Sequence, residues 1–273
     1  MRKCSLIAFL LLFCIGVSIA GAQVQELKSA RKAIDDTGYT GATLLYDVQR
    51  SHYEAGHVER IDDRFIPAST FKIFSSLVAL ETGVIDGADA IIEWDGINRE
   101  RTELNRDLDL TTAFQLSAVP HYQQLVRQIG LERMQQFIDA VGYGNRDLSG
   151  GVDSFWLTGG LRISPREQVG FLARLHRGDL PFSSETMATV RDVMVTEQTH
   201  EYALFAKTGW AVLPGAKNIG WWVGWVERGT ETVIFATVLE ATSPESAFGR
   251  ERLAVTRRVL NAAGVLDDGA EYP

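Results

Sequence analysis

Residues 67–83 read PASTFKIFSSLVALETG. Pro67 marks a turn, the spacing of Ile73, Leu77, Val78 and Leu80 predicts a helix after it, and Gly83 supplies the stop. Ser69 and Lys72 stand three residues apart as the chain enters that helix, so their side chains project from one face. A serine there lies beside backbone N–H groups with no intrahelical partner and beside the positive end of the dipole. That setting suits an alkoxide-like nucleophile and the oxyanion it generates. Taken alone, the tetrapeptide also fits an N-cap serine and a solvated lysine. Its neighbours Phe71, Ile73 and Phe74 argue otherwise, because an exposed lysine is out of place in such an apolar run.

Outward from this helix, Ala42–Val48 and His52–Gly56 read as two strands joined by a turn at Gln49-Arg50-Ser51, behind a short helix near Glu26–Asp36. Residues 85–200 look mostly helical and loop-rich; the clearest helix is Leu131–Val141, closed by Gly142. Tyr202–Trp210, Ile219–Glu227 and Thr232–Glu240 are rich in Val, Ile, Trp and Thr and predict three further strands. Phe248–Ala263 reads as a final amphipathic helix. With no internal repeat and no linker, the chain is expected to form one unit over residues 23–273. The predicted class is α+β: an antiparallel sheet built from both termini (about 23–88 and 200–273), flanked by helices, around a mostly helical insertion (about 89–199).

The composition removes several function classes. The 273 residues are 45% hydrophobic and 23% charged, with 27 Lys+Arg against 35 Asp+Glu and a formal charge of −8. No basic block offers an electrostatic footprint for nucleic acid or anionic lipid. The five histidines, at 52, 57, 121, 176 and 200, have no metal-ligand spacing, and no Gly-x-Ser-x-Gly elbow, P-loop or dinucleotide motif occurs. No metal is expected. Arg2 and Lys3 precede an apolar stretch, Leu6–Ala20, that is shorter than the ~20 residues a spanning helix needs. With Ala20-Gly21-Ala22 as a cleavage site, residues 1–22 read as a signal peptide. Cys4 and Cys14 fall inside it, so the exported protein has no thiol chemistry and no disulfide. It is expected to be periplasmic and off the membrane once the signal is removed.

Two more motifs follow Ser69-Thr70-Phe71-Lys72. Lys207-Thr208-Gly209 ends a predicted strand before Trp210; its cation and hydroxyl suit a carboxylate, and Gly209 lets a substrate lie against the strand edge. An edge strand guarded by a charge is the plainer reading of the same triplet. Ser117-Ala118-Val119 lies between. The ordered series Ser-x-x-Lys, Ser-x-x, Lys-Thr-Gly is the signature of serine β-lactamases and penicillin-binding proteins. With Val119 in the third place of the middle motif, together with Tyr143-Gly144-Asn145 and Phe155-Trp156-Leu157, the chain resembles the class D, oxacillinase-type, serine β-lactamases. The resemblance runs from the signal peptide to the last helix. The run Glu100-Arg101-Thr102-Glu103-Leu104-Asn105 resembles the glutamate loop of class A enzymes but precedes Ser117 rather than following it, and reads as a solvated charged loop.

The resemblance implies a β-lactam hydrolase that acylates Ser69 and then releases the acyl group with water. No glutamate or histidine is well placed as base. Burial of Lys72 against Phe71, Val119, Trp156 and Leu157 would depress its pKa, and the resemblance implies that the neutral amine adds CO₂ to become a carbamate base. Trp156 would donate its indole N–H to that carbamate. No other cofactor is implied beyond CO₂ or bicarbonate. The backbone N–H groups of Ser69 and Trp210 would form the oxyanion hole. Ser117 would relay a proton to the leaving nitrogen with Lys207 assisting, and Thr208, Gly209 and Arg250 would hold the substrate carboxylate, with Arg252 close enough to compete. Tyr143-Gly144-Asn145 reads as a structural loop. The rivals are a β-lactam sensor and a penicillin-binding protein, each acylated without efficient turnover. The sequence assigns no oligomeric state.

Overall fold

The computed structural model describes residues 23–213, 215, 217–242 and 247–266, so the signal-peptide reading lies outside the described residues. In chain order the elements are β1 (Val24–Glu26), α1 (Lys28–Asp35), β2 (Thr40–Asp47), β3 (His52–Gly56), α2 (Phe71–Glu81), β4 (Ile91–Ile92), β5 (Leu108–Asp109), α3 (Leu110–Gln115), α4 (Val119–Ile129), α5 (Leu131–Val141), α6 (Pro165–Arg177), α7 (Ser184–Val193), β6 (Val195–Gln198), β7 (Ala203–Ala211), β8 (Asn218–Arg228), β9 (Glu231–Ala241) and α8 (Phe248–Ala262). A single-turn 3₁₀ helix, Ala68–Thr70, leads directly into α2.

The main sheet has seven strands in the order β1-β3-β2-β9-β8-β7-β6. Strand β2 pairs antiparallel with β9, Leu44 opposite Ala236, which joins the two termini in one sheet. The α+β expectation holds with one amendment: β1 pairs parallel with β3, so the sheet is mixed. β1 and β6 were not legible as strands, since both are short and half-exposed or exposed along their length.

The long strands run apolar without interruption because both sheet faces are covered. Neighbours along β8 go to opposite layers: Trp221 packs with the α2 side, Trp222 with α1 and α8. On the first face lie Phe71, Phe74, Phe155 and Trp156; on the second lie Ile34, Phe235, Phe248, Val255 and Val259. Helix α5 begins and ends at the predicted residues, between Gly130 (φ 81°) and Gly142 (φ 73°). Helix α6 starts with a reciprocal cap, Ser164 accepting from the Glu167 N–H at 3.1 Å while Glu167 accepts from the Ser164 N–H at 2.9 Å.

These layers meet at the Ala68–Thr70 turn. The Trp221 indole donates to the Ile66 carbonyl at 2.9 Å, and the Ala68 N–H donates to the Trp156 carbonyl at 3.0 Å. Phe65 and Ile163 exchange backbone bonds in an isolated antiparallel bridge. The turn is thus held by the sheet on one side and by the 155–163 loop on the other.

Candidate active site

Ala68 has φ 50°, an uncommon conformation for a residue with a Cβ, and it immediately precedes Ser69. The bonds just described hold that turn in place. Ser69 is 8% exposed and Lys72 1%. The Lys72 Nζ donates to the Ser69 Oγ at 3.0 Å, so the i, i+3 reading of one shared face is correct. Above the ammonium lies the Tyr122 ring of α4, 5.0 Å from Nζ. Phe71 and Trp156 stack beside it at 5.5 Å. Burial is the main reason Lys72 lies well below the ordinary lysine pKa, and the cations Lys207 and Arg101 add to the shift. The Trp156 Nε1, on the ring that stacks on Phe71, is buried with no hydrogen-bond partner, an orphaned donor. Val119 and Leu157 are half-buried.

Strand β7 brings the second cation. Lys207 is 4% exposed, and its Nζ donates to the Thr208 carbonyl at 3.2 Å and lies 5.4 Å from the Phe114 ring. Burial lowers its pKa to about 7, helped by Arg252 and Arg101. The Ala206 N–H still donates to the Met194 carbonyl at 2.9 Å, but beyond it the β6 edge of β7 carries no partner strand among the described residues, leaving 207–211 open on that side. A Cβ on Gly209 would meet the Pro67 carbonyl oxygen at 2.9 Å and the Thr70 Cγ2 at 3.1 Å. Only glycine lets β7 lie this close to the turn that carries Ser69. A cavity of about 360 Å³ opens along this edge, lined by Phe114, Gln115, Thr196, Lys207 and Thr208 among others.

Ser117 follows α3 with φ 54°, and its N–H donates to the Phe114 carbonyl at 3.0 Å. The two candidate arginines separate clearly. Arg250 is exposed at the start of α8. Arg252 donates from Nη1 to the Gly209 carbonyl at 2.8 Å and lies 5.5 Å from the Trp210 ring; burial lowers its pKa to about 10. Of the two, Arg252 faces β7 and Arg250 faces solvent, because a helix turns about 200° over two residues. Trp210 itself is 40% exposed. Its ring is bounded by Phe248 at 5.5 Å and by Gly249, where a Cβ would come within 2.8 Å of the indole.

Tyr143 is fully buried against Phe71, Phe74 and Phe171. Asn145 accepts from the Arg162 N–H at 2.8 Å and donates to the Gly160 carbonyl at 2.9 Å. The Tyr143-Gly144-Asn145 triplet thus braces the loop bearing Trp156. Sequence reasoning missed Tyr122, Phe114 and Arg101. The charged loop is solvated at Arg101 and Glu103, yet Leu104 is buried and Arg101 reaches inward to the Leu116 carbonyl at 3.0 Å.

The chain matches the penicillin binding protein transpeptidase domain over residues 39–261. It is 38% identical over 258 residues to the β-lactamase OXA-48 of Klebsiella pneumoniae, covering 94% of this chain and 96% of that protein. The solved structure of the class D β-lactamase YbXI from Nostoc aligns with a TM-score of 0.83 at 44% identity, covering 87% of this chain and 99% of that one. The regulatory protein BlaR1 of Bacillus licheniformis is 34% identical over 239 residues, which are 88% of this chain and 38% of that protein.

Proposed function

The chain belongs to the penicillin binding protein transpeptidase family, and within it to the class D β-lactamases, and we propose that it opens β-lactams with carbamylated Lys72 as the general base. The observation that carries this reading is a single one. A buried amine, held below its ordinary pKa, lies 3.0 Å from the Ser69 Oγ, and the neighbouring Phe71 ring stacks on Trp156, whose buried indole N–H has no partner. A neutral amine attacks CO₂, forming an N–C bond and losing a proton, which replaces a cation by an anion that accepts hydrogen bonds. The orphaned Trp156 donor fits that product and not the free ammonium, which only donates.

In acylation, Lys72 in its carbamylated form takes the Ser69 proton as Oγ attacks the strained amide carbon. The N–H groups of Ser69 and Trp210 receive the oxyanion. Ser117 passes a proton to the departing ring nitrogen, and Lys207, with a pKa near neutrality, supplies the field that favours the transfer. Thr208 and Arg252 hold the substrate carboxylate against the open edge of β7. In deacylation, Lys72 draws the proton from water attacking the ester, and Ser69 is regenerated.

Residues 1–22 serve as a cleaved export signal in this reading, delivering the enzyme to the periplasm. No helix among the described residues is long and apolar enough to cross a membrane. The mature protein is then expected to begin at Gln23, which N-terminal sequencing of exported material checks.

The decisive assay is turnover of a chromogenic cephalosporin by the mature enzyme, stripped of CO₂ and then given bicarbonate. Many turnovers per molecule, rising with bicarbonate, are expected. One stoichiometric burst under both conditions would instead identify an acylated sensor or penicillin-binding protein.

A further inference from the structure

The segment before α3 is more than a solvated loop. Thr102–Leu104 forms a 3₁₀ turn whose Leu104 is 4% exposed. Asn105 closes the loop on itself, accepting from the Arg99 N–H at 2.9 Å and donating to the Arg99 carbonyl at 3.0 Å. On this base Arg101 spans two partners, Nε to Glu103 Oε1 at 2.9 Å and Nη2 to the Leu116 carbonyl at 3.0 Å. That carbonyl belongs to the peptide leading into Ser117, which holds a left-handed conformation at φ 54°. A non-glycine residue there is strained and persists only where its surroundings over-determine it.

We propose that Arg101 is a positioning residue for β-lactam hydrolysis, its guanidinium fixing the Leu116–Ser117 peptide and placing a positive rim beside the two active-site lysines. The proposal rests on the reading of Ser117 and Lys72 given above. A guanidinium suits the task because its planar fork reaches a carboxylate and a carbonyl at once, which an ammonium on a flexible stem does poorly. The carbonyl end of a helix such as α3 also favours a nearby cation.

The rim also acts on charge. Lys72 faces Ser69 from its own turn, Tyr122 from α4 and the charge of Lys207 from β7. Lys207 faces Phe114 from α3 and Arg252 from α8. Arg101 depresses the pKa of both lysines. Its guanidinium is about half exposed, so solvent screens much of that effect. Removing the cation makes each ammonium easier to keep, so a higher pH is needed to free the Lys72 amine.

The test compares Arg101→Met and Arg101→Lys in the mature enzyme by pH–rate profile, bicarbonate titration and melting temperature. Arg101→Met is expected to lower kcat about tenfold with KM little changed, through loss of Ser117 placement. Its acid limb should rise by about half a pH unit, and half-maximal activity should need several-fold more bicarbonate. Arg101→Lys should keep the wild-type acid limb while still losing kcat, because it retains the charge and not the fork. An unmoved acid limb with kcat within about twofold of wild type would overturn the proposal, as would a fall in melting temperature alone. If Arg101→Met does not fold, Glu103→Gln at its exposed site loosens the same guanidinium; a lower kcat supports the proposal and an unchanged one overturns it. A wild-type enzyme indifferent to bicarbonate would remove the carbamate reading only. The acid limb still reports the neutral Lys72 amine, and Arg101 is judged on it.

Discussion

Two lysines buried within one site oppose each other and the fold. Lys207, at a pKa of about 7, gives the sign of the effect. Below that pH the folded and unfolded chains both hold its proton, and the burial penalty is present in full. Between about 7 and the ordinary lysine value of 10.5 the unfolded chain holds a proton the folded chain has lost, so stability climbs with pH through that window. Each pKa unit is worth ~1.4 kcal/mol, so even a partial displacement outweighs an exposed ion pair. Lys207→Met is therefore expected to unfold at higher urea at pH 7, to lose part of the rise between pH 7 and 10 while the depressed Lys72 keeps the rest, and to hydrolyse β-lactams at least 100-fold more slowly. Urea midpoints at three pH values check the first two; an unchanged slope would show that Lys207 is solvated in solution. Lys72→Ala is expected to abolish turnover outright, since Lys72 is the titratable group hydrogen-bonded to Ser69 among the described residues. Trp156→Phe keeps the stack on Phe71 but removes the orphaned donor, so its bicarbonate requirement should rise with little loss of melting temperature.

At the scale of elements, the site depends on how closely β7 approaches the Ala68–Thr70 turn. Gly209→Ala would drive a methyl against the Pro67 carbonyl oxygen and Thr70, separating the Ser69 and Trp210 N–H groups. The expected result is a loss in kcat of about 100-fold, as for removing one oxyanion donor, with KM affected less. A Gly209→Ala enzyme with wild-type kcat would mean the strand yields without disturbing the oxyanion hole. The sequence carried this junction only in part. Helix α5 was readable to the residue because Gly130 and Gly142 bracket it, and β7–β9 because β-branched and aromatic residues cluster between turns. Ser69, Lys72 and Lys207 were readable because their motifs are local. Tyr122 over Lys72 and Phe114 over Lys207 were not, since each contact joins elements far apart in the chain and no local pattern records it. Between Arg250 and Arg252 the sequence did not decide, for a different reason: two arginines share the first turns of α8, and which one faces β7 depends on the rotational setting of a helix. Strands β1 and β6 lacked the apolar alternation that marks a strand with one buried face.

At the scale of the molecule, the catalytic turn is the place where the layers are tied together. Trp221 of β8 bonds Ile66, Trp156 bonds Ala68, and Phe65 bonds Ile163. The helical insertion and the sheet thus share the backbone on either side of Ser69. The apolar cluster between them is also continuous, running from Trp225 and Val223 of the sheet through Phe71 and Trp156 to Ile138 of α5. A split into separately melting parts would have to open that cluster and strip these buried hydrogen bonds, one from the Trp221 indole and the rest between backbones, at once. The mature enzyme is therefore expected to unfold in one cooperative transition, with tryptophan fluorescence, far-ultraviolet dichroism and hydrolytic activity lost at the same urea concentration. The tryptophans suit the experiment because Trp156 lies in the insertion while Trp221 and Trp225 lie in the sheet. Activity lost well before the dichroism would mean the 155–163 loop opens alone, taking Trp156 away from Phe71 while the sheet stays intact. In that case the carbamate pocket would be a locally stable unit, and bicarbonate should shift the activity midpoint without moving the global one.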